Sequence, residues 1–192
     1  MNSKQTLKLL APYLAVGFFW CVFSNAWLAI FAYHVQILCW YRQTPSNMAR
    51  PSRNRFMLLT LPAVATGPLV YFLLPFITQT DLGSWLQKHH LSGLAFIAMI
   101  PYFGLLHPLL EQIHWAQLRE YAPISHLMFA GYHMLVLHSL LTFPWLCVCF
   151  VILASASFIW QQIAKRSNSL AVPIASHVLA DLGIITAAWL KA

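Results

Sequence analysis

The chain has 192 residues, of which 60% are hydrophobic and only 8% are charged. About a quarter of the residues of a soluble domain are charged, so this composition excludes a soluble globular protein and predicts one integral membrane domain over residues 1–192. The formal net charge of +7 does not indicate nucleic-acid binding, because the basic residues cluster at the ends of apolar stretches, as membrane topology requires.

The apolar stretches, taken in chain order, predict an all-α polytopic bundle of about six to seven membrane helices. The first stretch, Leu9–Tyr41, is too long for one untilted span of roughly 20 residues. Ser24-Asn25 predicts either a span followed by a short interfacial helix or a tight hairpin. The other predicted elements are a basic loop at Arg42–Arg55, a span at Phe56–Thr78, an amphipathic interfacial segment at Gln79–His90, spans at Gly93–Tyr121, Ser125–Leu141 and Trp145–Ile163, a basic turn at Lys165–Asn168 and a span at Leu170–Leu190.

The basic residues also predict the orientation of the bundle. If the spans alternate, then Arg42–Arg55, Arg119 and the pair Lys165/Arg166 fall on one side. Loops rich in Lys and Arg stay in the cytoplasm. This side is therefore predicted to be cytoplasmic.

Ionisable residues inside the predicted spans are the candidates for a functional site. Glu111 and Asp181 are two of only four acidic residues, and each lies in a stretch apolar enough to cross a membrane. A charged group at such depth costs about 2.5–3.5 kcal/mol on insertion scales, so intramembrane acids are functional candidates by default. His177 lies four residues before Asp181, so the two share a helix face.

Three of these polar groups lie at a common depth. Counted from the basic end of its span, each of Glu111, His133 and His177 is eight or nine residues in. That spacing corresponds to roughly 12 Å along a helix. A layer of polar groups on three helices predicts one active-site cavity, open towards the cytoplasmic leaflet.

The side chains of this layer suit hydrolysis by an activated water molecule. Glu111 is a candidate general base, and His133 would hold the water or share its proton. His177 and Asp181 would donate hydrogen bonds to a developing oxyanion. Asp181 donates only when protonated; otherwise it accepts from His177 and sets the tautomer of that ring.

Other histidines are predicted to have structural roles, because buried polar groups commonly pair with neighbours or extend to the interface. They are His34, His107, His126 and His138 within spans, and His89 and His90 at the interface. His107, Glu111 and His114 share one helix face by their spacing. This resembles half of a carboxylate–histidine metal motif, but the second Glu-x-x-His is absent.

Three short motifs on separate predicted helices resemble those of the CPBP family (CAAX protease and bacteriocin-processing, Abi-like) of glutamic intramembrane proteases. The family pattern Phe-x-x-x-His is matched by Phe129-Ala-Gly-Tyr-His133, and His-x-x-x-Asn/Asp by His177-Val-Leu-Ala-Asp181. The pattern Glu-Glu-x-x-x-Arg is met only in part by Glu111-Gln112-Ile-His-Trp-Ala116, where Gln replaces the second Glu and Ala replaces the Arg. The resemblance covers the motif-bearing core, about residues 93–190.

The resemblance implies an intramembrane endopeptidase of the plasma (inner) membrane that needs no metal or other cofactor. Glu111 would activate water, His133 would assist it, and His177 with Asp181 would line the oxyanion hole. Gln112, His114 and Phe129 are supporting residues. The implied substrate is a membrane-associated peptide or protein, either a CAAX-type tail or another tail processed in the lipid bilayer.

Three alternatives remain open from the residues. His133 and His177 on facing helices would suit a haem iron. Glu111, His114, His133 and His177 together would suit zinc. The altered first motif would also fit a non-catalytic immunity or scaffold protein on the same fold.

Overall fold

The computed structural model describes residues 3–40, 48–49 and 51–192, and the regular elements within these ranges are helices. Residues 42–47 and 50 of the predicted basic loop lie outside the described residues. The helices are α1 Ser3–Val22, α2 Ala26–Trp40, α3 Arg53–Ile77, α4 Leu82–Lys88, α5 Gly93–Tyr121, α6 Ser125–Leu137, α7 Phe143–Ser167 and α8 Ala171–Lys191. The predicted all-α fold is confirmed.

Five of the described helices are long and apolar enough to cross a membrane, namely α1, α3, α5, α7 and α8. Helix α2 is also apolar but has 15 residues, and α6 has 13. At about 1.5 Å per residue, these two are shorter than the roughly 30 Å hydrocarbon core of a bilayer. They pack between the longer helices and bring polar side chains into the interior.

The first apolar stretch forms a helical hairpin rather than one long span. Helix α1 ends at Val22, Ser24 takes a left-handed backbone with φ of 50°, and α2 starts at Ala26. The side chain of Asn25 accepts a hydrogen bond from the Leu28 amide at 3.0 Å, which satisfies one of the free amides at the start of α2. The two helices pack together in antiparallel fashion.

The helices alternate in direction, as the predicted orientation requires. At one end, Gln161 of α7 donates a hydrogen bond to the backbone carbonyl of Arg119 at 2.9 Å. The last turn of α7, which carries Lys165, lies at this same end. At the other end, the Thr142 amide donates to the carbonyl of Ile77 at 2.9 Å.

The predicted basic turn at Lys165–Asn168 is largely helical. Helix α7 continues through Ser167, and Asn168 ends it in a left-handed conformation with φ of 47°. Asn tolerates this backbone at the end of a helix, and cations are favoured by the helix dipole there. Lys165 and Arg166 therefore form the final helical turn, and the chain reverses after them.

A π-helical turn interrupts α5 one turn before Glu111. Pro108 has no amide proton, so the regular hydrogen bond to the carbonyl of residue 104 is missing. The backbone widens over Tyr102–Leu106, and the His107 amide donates to the carbonyl of Tyr102 instead. Such turns are frequent at functional sites. Regular helix resumes at His107, which lies one turn before Glu111 on the same face.

Helices α3 and α8 cross at a contact between two glycines. A Cβ atom on Gly183 would lie 2.8 Å from the backbone nitrogen of Gly67 and 2.9 Å from its Cα. Both neighbours are backbone atoms, so any side chain at Gly183 forces the helices apart. Gly183 is two residues beyond Asp181, and this crossing therefore fixes the position of that carboxylate.

We expect Gly183→Ala to destabilise the protein by about 1–3 kcal/mol, which is the usual effect of overpacking. The melting temperature of the detergent-solubilised protein should fall. Gly83→Ala is the matched control, because a Cβ there would lie at ordinary distances, 3.5 Å from the Ala192 carbonyl oxygen and 3.6 Å from Asp81 Oδ1. Equal melting temperatures for the two variants would contradict the close crossing.

The short helix α4 begins with a side-chain cap. Asp81 Oδ1 accepts a hydrogen bond from the Ser84 amide at 2.8 Å, and this bond lowers the pKa of the Asp81 carboxyl. At the other end of α4, the carbonyl of His89 accepts from the Ala26 amide at 3.1 Å. His89 is buried and its ring stacks on Trp20, with ring centroids 4.2 Å apart, so its side chain is part of the packed interior of the protein.

We expect Asp81→Ala to lower the melting temperature at neutral pH, whereas Asp81→Asn should retain most of the cap. A carboxyl whose pKa is lower in the folded state stabilises the protein above its unfolded pKa, and loses this effect as the pH falls through its folded pKa. The difference between wild type and Asp81→Ala should therefore shrink in acid. Thermal melts of the wild type and of Asp81→Ala between neutral and acidic pH measure this difference. A difference that stays constant with pH would contradict the prediction.

Candidate active site

Glu111 lies at the meeting point of three helices, and its side chain is fully buried. On the α2 side, Glu111 Oε1 is 3.0 Å from the hydroxyl of Tyr33. On the α8 side, Glu111 Oε2 is 3.4 Å from His177 Nε2. Within α5 itself, the same oxygen is 3.5 Å from His107 Nε2. One carboxylate thus faces a phenol and two imidazoles.

The hydrogen bond between Tyr33 and Glu111 has a defined direction. The indole nitrogen of Trp115 lies 2.9 Å from the Tyr33 oxygen, and an indole N–H can only donate. The Tyr33 oxygen is therefore an acceptor on that side, and its own proton is free to go to Glu111 Oε1. Tyr33, Glu111 and Trp115 are all buried, so this pair of bonds fixes one carboxylate oxygen and leaves the other for chemistry.

His177 connects the two intramembrane carboxylates. Its Nε2 atom is 3.4 Å from Glu111 Oε2 and also 3.4 Å from Asp181 Oδ2. These distances exceed the usual 2.9–3.0 Å of an N–H···O hydrogen bond. Neither oxygen accepts a hydrogen bond from the described residues, although both are buried. The ring of Trp160 stacks on the His177 imidazole, with centroids 4.5 Å apart, and so fixes its orientation.

The tautomer of His177 follows from Arg119 and Gln112. Arg119 Nη1 donates to Gln112 Oε1 at 3.1 Å, and a guanidinium can only donate. The amide nitrogen of Gln112 therefore points the other way, towards His177 Nδ1 at 3.2 Å. Since that nitrogen donates, His177 Nδ1 is the acceptor and its proton is on Nε2, between the two carboxylates.

Arg119 is a site residue that the sequence interpretation missed. The sequence predicts that it lies at the basic end of its span, but its side chain is only 5% exposed. Its guanidinium also lies over the ring of Phe129 at 5.4 Å. The available signal was the spacing of seven residues from Gln112, which is two turns of helix and places both on one face. Arg119 lies three residues beyond Ala116, the position at which the motif that the sequence resembles has Arg.

A second chain of contacts reaches Glu111 from Tyr102 through two histidines. The Tyr102 hydroxyl is 2.8 Å from His34 Nδ1, and His34 Nε2 is 3.1 Å from His107 Nδ1. His107 Nε2 then faces Glu111 Oε2. The sequence predicts structural roles for His34 and His107. It does not predict that this chain of contacts links both of them to Glu111.

His133 is close to the other site residues but is engaged elsewhere. Its Nδ1 lies 2.8 Å from the carbonyl of Phe129, and its Nε2 lies 3.2 Å from the hydroxyl of Tyr132. The Phe129 ring has its centroid 4.9 Å from that of His133 and 6.3 Å from that of His177. Of the groups predicted to share one depth, Glu111 and His177 face each other, whereas the hydrogen-bond partners of His133 belong to its own helix.

His114 faces a different part of the structure from Glu111. It lines a separate small depression together with Ile37, Trp40, Ile113 and Gln117. Of the four residues in the predicted zinc set, Glu111 and His177 therefore lie together, whereas His114 and His133 face other groups. Phe129, the remaining supporting residue, is fully buried.

No family model matches this sequence, and neither a curated protein nor a solved structure matches it. The chemistry of Glu111, His177 and Asp181 must therefore carry the functional inference. A buried carboxylate oxygen that faces two imidazoles can take a proton from water. An imidazole N–H beside a second carboxyl group can stabilise negative charge that develops on a carbonyl oxygen.

Proposed function

We propose that this protein is an intramembrane endopeptidase of the CPBP type, in which Glu111 activates the water that hydrolyses a peptide bond. The observation that carries the proposal is the burial of Glu111 together with the lack of a hydrogen bond from the described residues to its Oε2. Glu111 is fully buried between helices, and its Oε2 faces His177 and His107 but accepts no hydrogen bond from the described residues. Such a group is costly inside a membrane and is expected to have a function.

In the first chemical step, Glu111 Oε2 takes a proton from water while the water oxygen bonds to the substrate carbonyl carbon. The carbonyl oxygen becomes an oxyanion, and His177 Nε2–H donates to it. When the C–N bond breaks, the protonated Glu111 returns its proton to the leaving amine. No covalent bond to the enzyme forms, and Glu111 ends the cycle ionised.

Asp181 supports this step through His177. Its Oδ2 faces His177 Nε2–H at 3.4 Å in the resting site and stabilises the N–H that later faces the oxyanion. Both contacts of His177 Nε2, at 3.4 Å, are longer than hydrogen bonds, and catalytic hydrogen bonds often tighten only when substrate is bound. His133 has both nitrogens near protein groups, so its role in this mechanism is to shape the site beside Phe129.

The proposal extends to the location and the substrate. The five helices that are long and apolar enough to cross a membrane support a multi-pass protein, and we place it in the plasma (inner) membrane with its basic end in the cytoplasm. The substrate is a membrane-associated peptide or protein tail that enters between helices from the cytoplasmic leaflet. Because Glu111 is fully buried, the helices must separate locally to admit it.

A comparison of peptides from two membrane preparations tests the proposal. One preparation contains the wild-type chain and the other contains Glu111→Gln at an equal level. New peptide termini in each are identified by mass spectrometry. We expect a set of termini that appears only with the wild type. The same set in both preparations would reject hydrolysis by Glu111.

A non-catalytic immunity or scaffold protein is the second candidate, and the closure of the site favours it. Both Glu111 and Gln112 are at most 1% exposed, and a purely structural polar core would also be closed. Such a protein would retain its biological effect in a Glu111→Gln/His177→Gln double variant, provided that the variant is still inserted. Loss of the effect together with loss of cleavage favours the endopeptidase.

A further inference from the structure

We propose that His107 is a further catalytic histidine, which positions the hydrolytic water at Glu111, and that His34 and Tyr102 are positioning residues acting through it. This inference rests on the proposed function and gives His107 the role that the sequence resemblance implied for His133. It is carried by the chain of contacts Tyr102–His34–His107–Glu111, which joins α2 and α5.

His107 lies where a water-binding group is needed. Its Nε2 is 3.5 Å from Glu111 Oε2, which is the oxygen without a hydrogen bond from the described residues. His177 approaches this same oxygen at 3.4 Å, and the two imidazole rings are 6.4 Å apart at their centroids. A water molecule bound to Glu111 Oε2 would therefore meet His107 on one side and His177 on the other.

The chain defines which way the protons point when Glu111 is ionised. A lone pair on His107 Nε2 would repel the carboxylate, so the proton is on Nε2 and His107 Nδ1 is an acceptor. His34 Nε2–H then donates to His107 Nδ1, and the Tyr102 hydroxyl donates to His34 Nδ1. All three donors point towards Glu111.

Protonation of Glu111 leaves this direction unchanged. The proton that Glu111 takes comes from the water, and its new O–H points to the oxygen derived from that water. The protonated carboxyl oxygen keeps a lone pair that faces His107 Nε2–H. Tyr102, His34 and His107 therefore each keep their own proton, and no proton moves along the chain.

Aromatic packing fixes the positions of the His107 and His34 rings. His107 stacks on Phe103, with ring centroids 5.0 Å apart and planes at 15°, and on His34 at 5.3 Å and 27°. His34 stacks in turn on Tyr102 at 5.3 Å. Both histidines are at most 5% exposed. Their ring positions are therefore determined by neighbours, and the proton positions are the variable that the chain controls.

The alternative is that these histidines only join helices. Hydrogen bonds between helices in membranes contribute modestly to stability. A purely structural histidine predicts that loss of its bonds lowers stability without a selective effect on turnover. A water-positioning histidine predicts a loss of turnover in a protein that is still folded. The two interpretations are separated by a spectroscopic measurement and a rate measurement on the same variants.

The spectroscopic test uses the full chain labelled with ¹⁵N-histidine in lipid nanodiscs. Protonated and unprotonated ring nitrogens have well-separated ¹⁵N shifts, and His34→Gln and His107→Gln assign the two rings. We expect one Nε2–H tautomer for both rings in the wild type and mixed tautomers in Tyr102→Phe, which keeps the stacked ring and removes the hydroxyl. Unchanged tautomers in Tyr102→Phe would overturn the role of Tyr102.

The rate test uses proteoliposomes that contain the full chain and the solubilised membrane-protein fraction of the expression host, with new N-termini counted over time. We expect His107→Gln to slow their formation by about 10–100-fold, within the range of general acid–base effects, and Tyr102→Phe by about 3–10-fold, near the effect of one hydrogen bond. His138→Gln is the control, because this histidine of the same bundle is exposed and should leave the rate unchanged.

The outcomes separate this inference from the proposed function. If Glu111→Gln stops the reaction while a folded His107→Gln keeps the wild-type rate, His107 is not catalytic and the endopeptidase proposal stands. If Glu111→Gln keeps the wild-type rate, the endopeptidase proposal itself fails. Melting temperatures of all variants, measured in parallel, identify any that have lost the fold, and for His107 the milder His107→Asn then replaces His107→Gln.

Discussion

Glu111→Gln should abolish formation of new peptide termini in proteoliposomes, with a rate at least about 100-fold below that of the wild type. Gln has nearly the same shape, and its carbonyl oxygen can still accept from Tyr33. It cannot take a proton from water, because an amide is not a base at neutral pH. The loss should therefore fall on the chemical step and leave the fold intact.

The matched control is Glu120→Gln. Glu120 lies on the same helix nine residues further on, is exposed, and belongs to the last turn of α5. Its substitution removes one negative charge without touching the site. We expect a rate close to that of the wild type, so a charge effect common to both variants is separated from loss of the base. Equal rates for wild type and Glu111→Gln would remove Glu111 from the mechanism.

The spans and the pairing of His177 with Asp181 could be predicted from sequence because each depends on local spacing. Gly93–Tyr121 is one helix as predicted, since its apolar length is a property of a continuous segment. His177 and Asp181 are four residues apart on α8, so helical geometry alone places them on one face. Their measured separation of 3.4 Å follows from that spacing.

Residues that meet through packing between helices were not predictable in this way. The depth of His133 along its helix follows from counting residues, but the partners of its ring do not. Both ring nitrogens face groups of its own helix, the Phe129 carbonyl and the Tyr132 hydroxyl. Tyr33 and His34 lie on α2, in a stretch whose division into helices the sequence left open. Their contact with Glu111 depends on the hairpin fold of α1 and α2, for which the motif-bearing core holds no signal.

The structure changes the interpretation of Gln112 and Ala116, the two departures from the motif that the sequence resembles. The sequence suggests the loss of both a carboxylate and its cation. The structure places Arg119 two turns beyond Gln112, with the guanidinium hydrogen-bonded to its amide oxygen. A neutral side chain thereby occupies a fixed orientation next to His177. Gln112 and Arg119 together determine the tautomer of that ring, which neither residue would do alone.

Arg119→Met should lower the rate of cleavage by about 10–100-fold, in line with about 1.5–3 kcal/mol for a hydrogen bond to a charged group. Met preserves most of the apolar contact with Phe129 but leaves Gln112 free to turn over. His177 would then exchange between tautomers, and only one of them points an N–H at Glu111 and the substrate carbonyl. Arg166→Met, at an exposed position of the same end of the bundle, should have no effect.

A double-mutant cycle shows whether Arg119 acts through Gln112. Gln112→Leu removes the amide that sets the tautomer, so adding Arg119→Met to it should cost little further activity, and the two effects should fall well short of additive. Full additivity would mean that the guanidinium acts directly, through its charge near the carboxylates. The ¹⁵N spectrum of His177 gives an independent reading: both single variants should mix its tautomers, because each breaks the same chain from Arg119 to the imidazole.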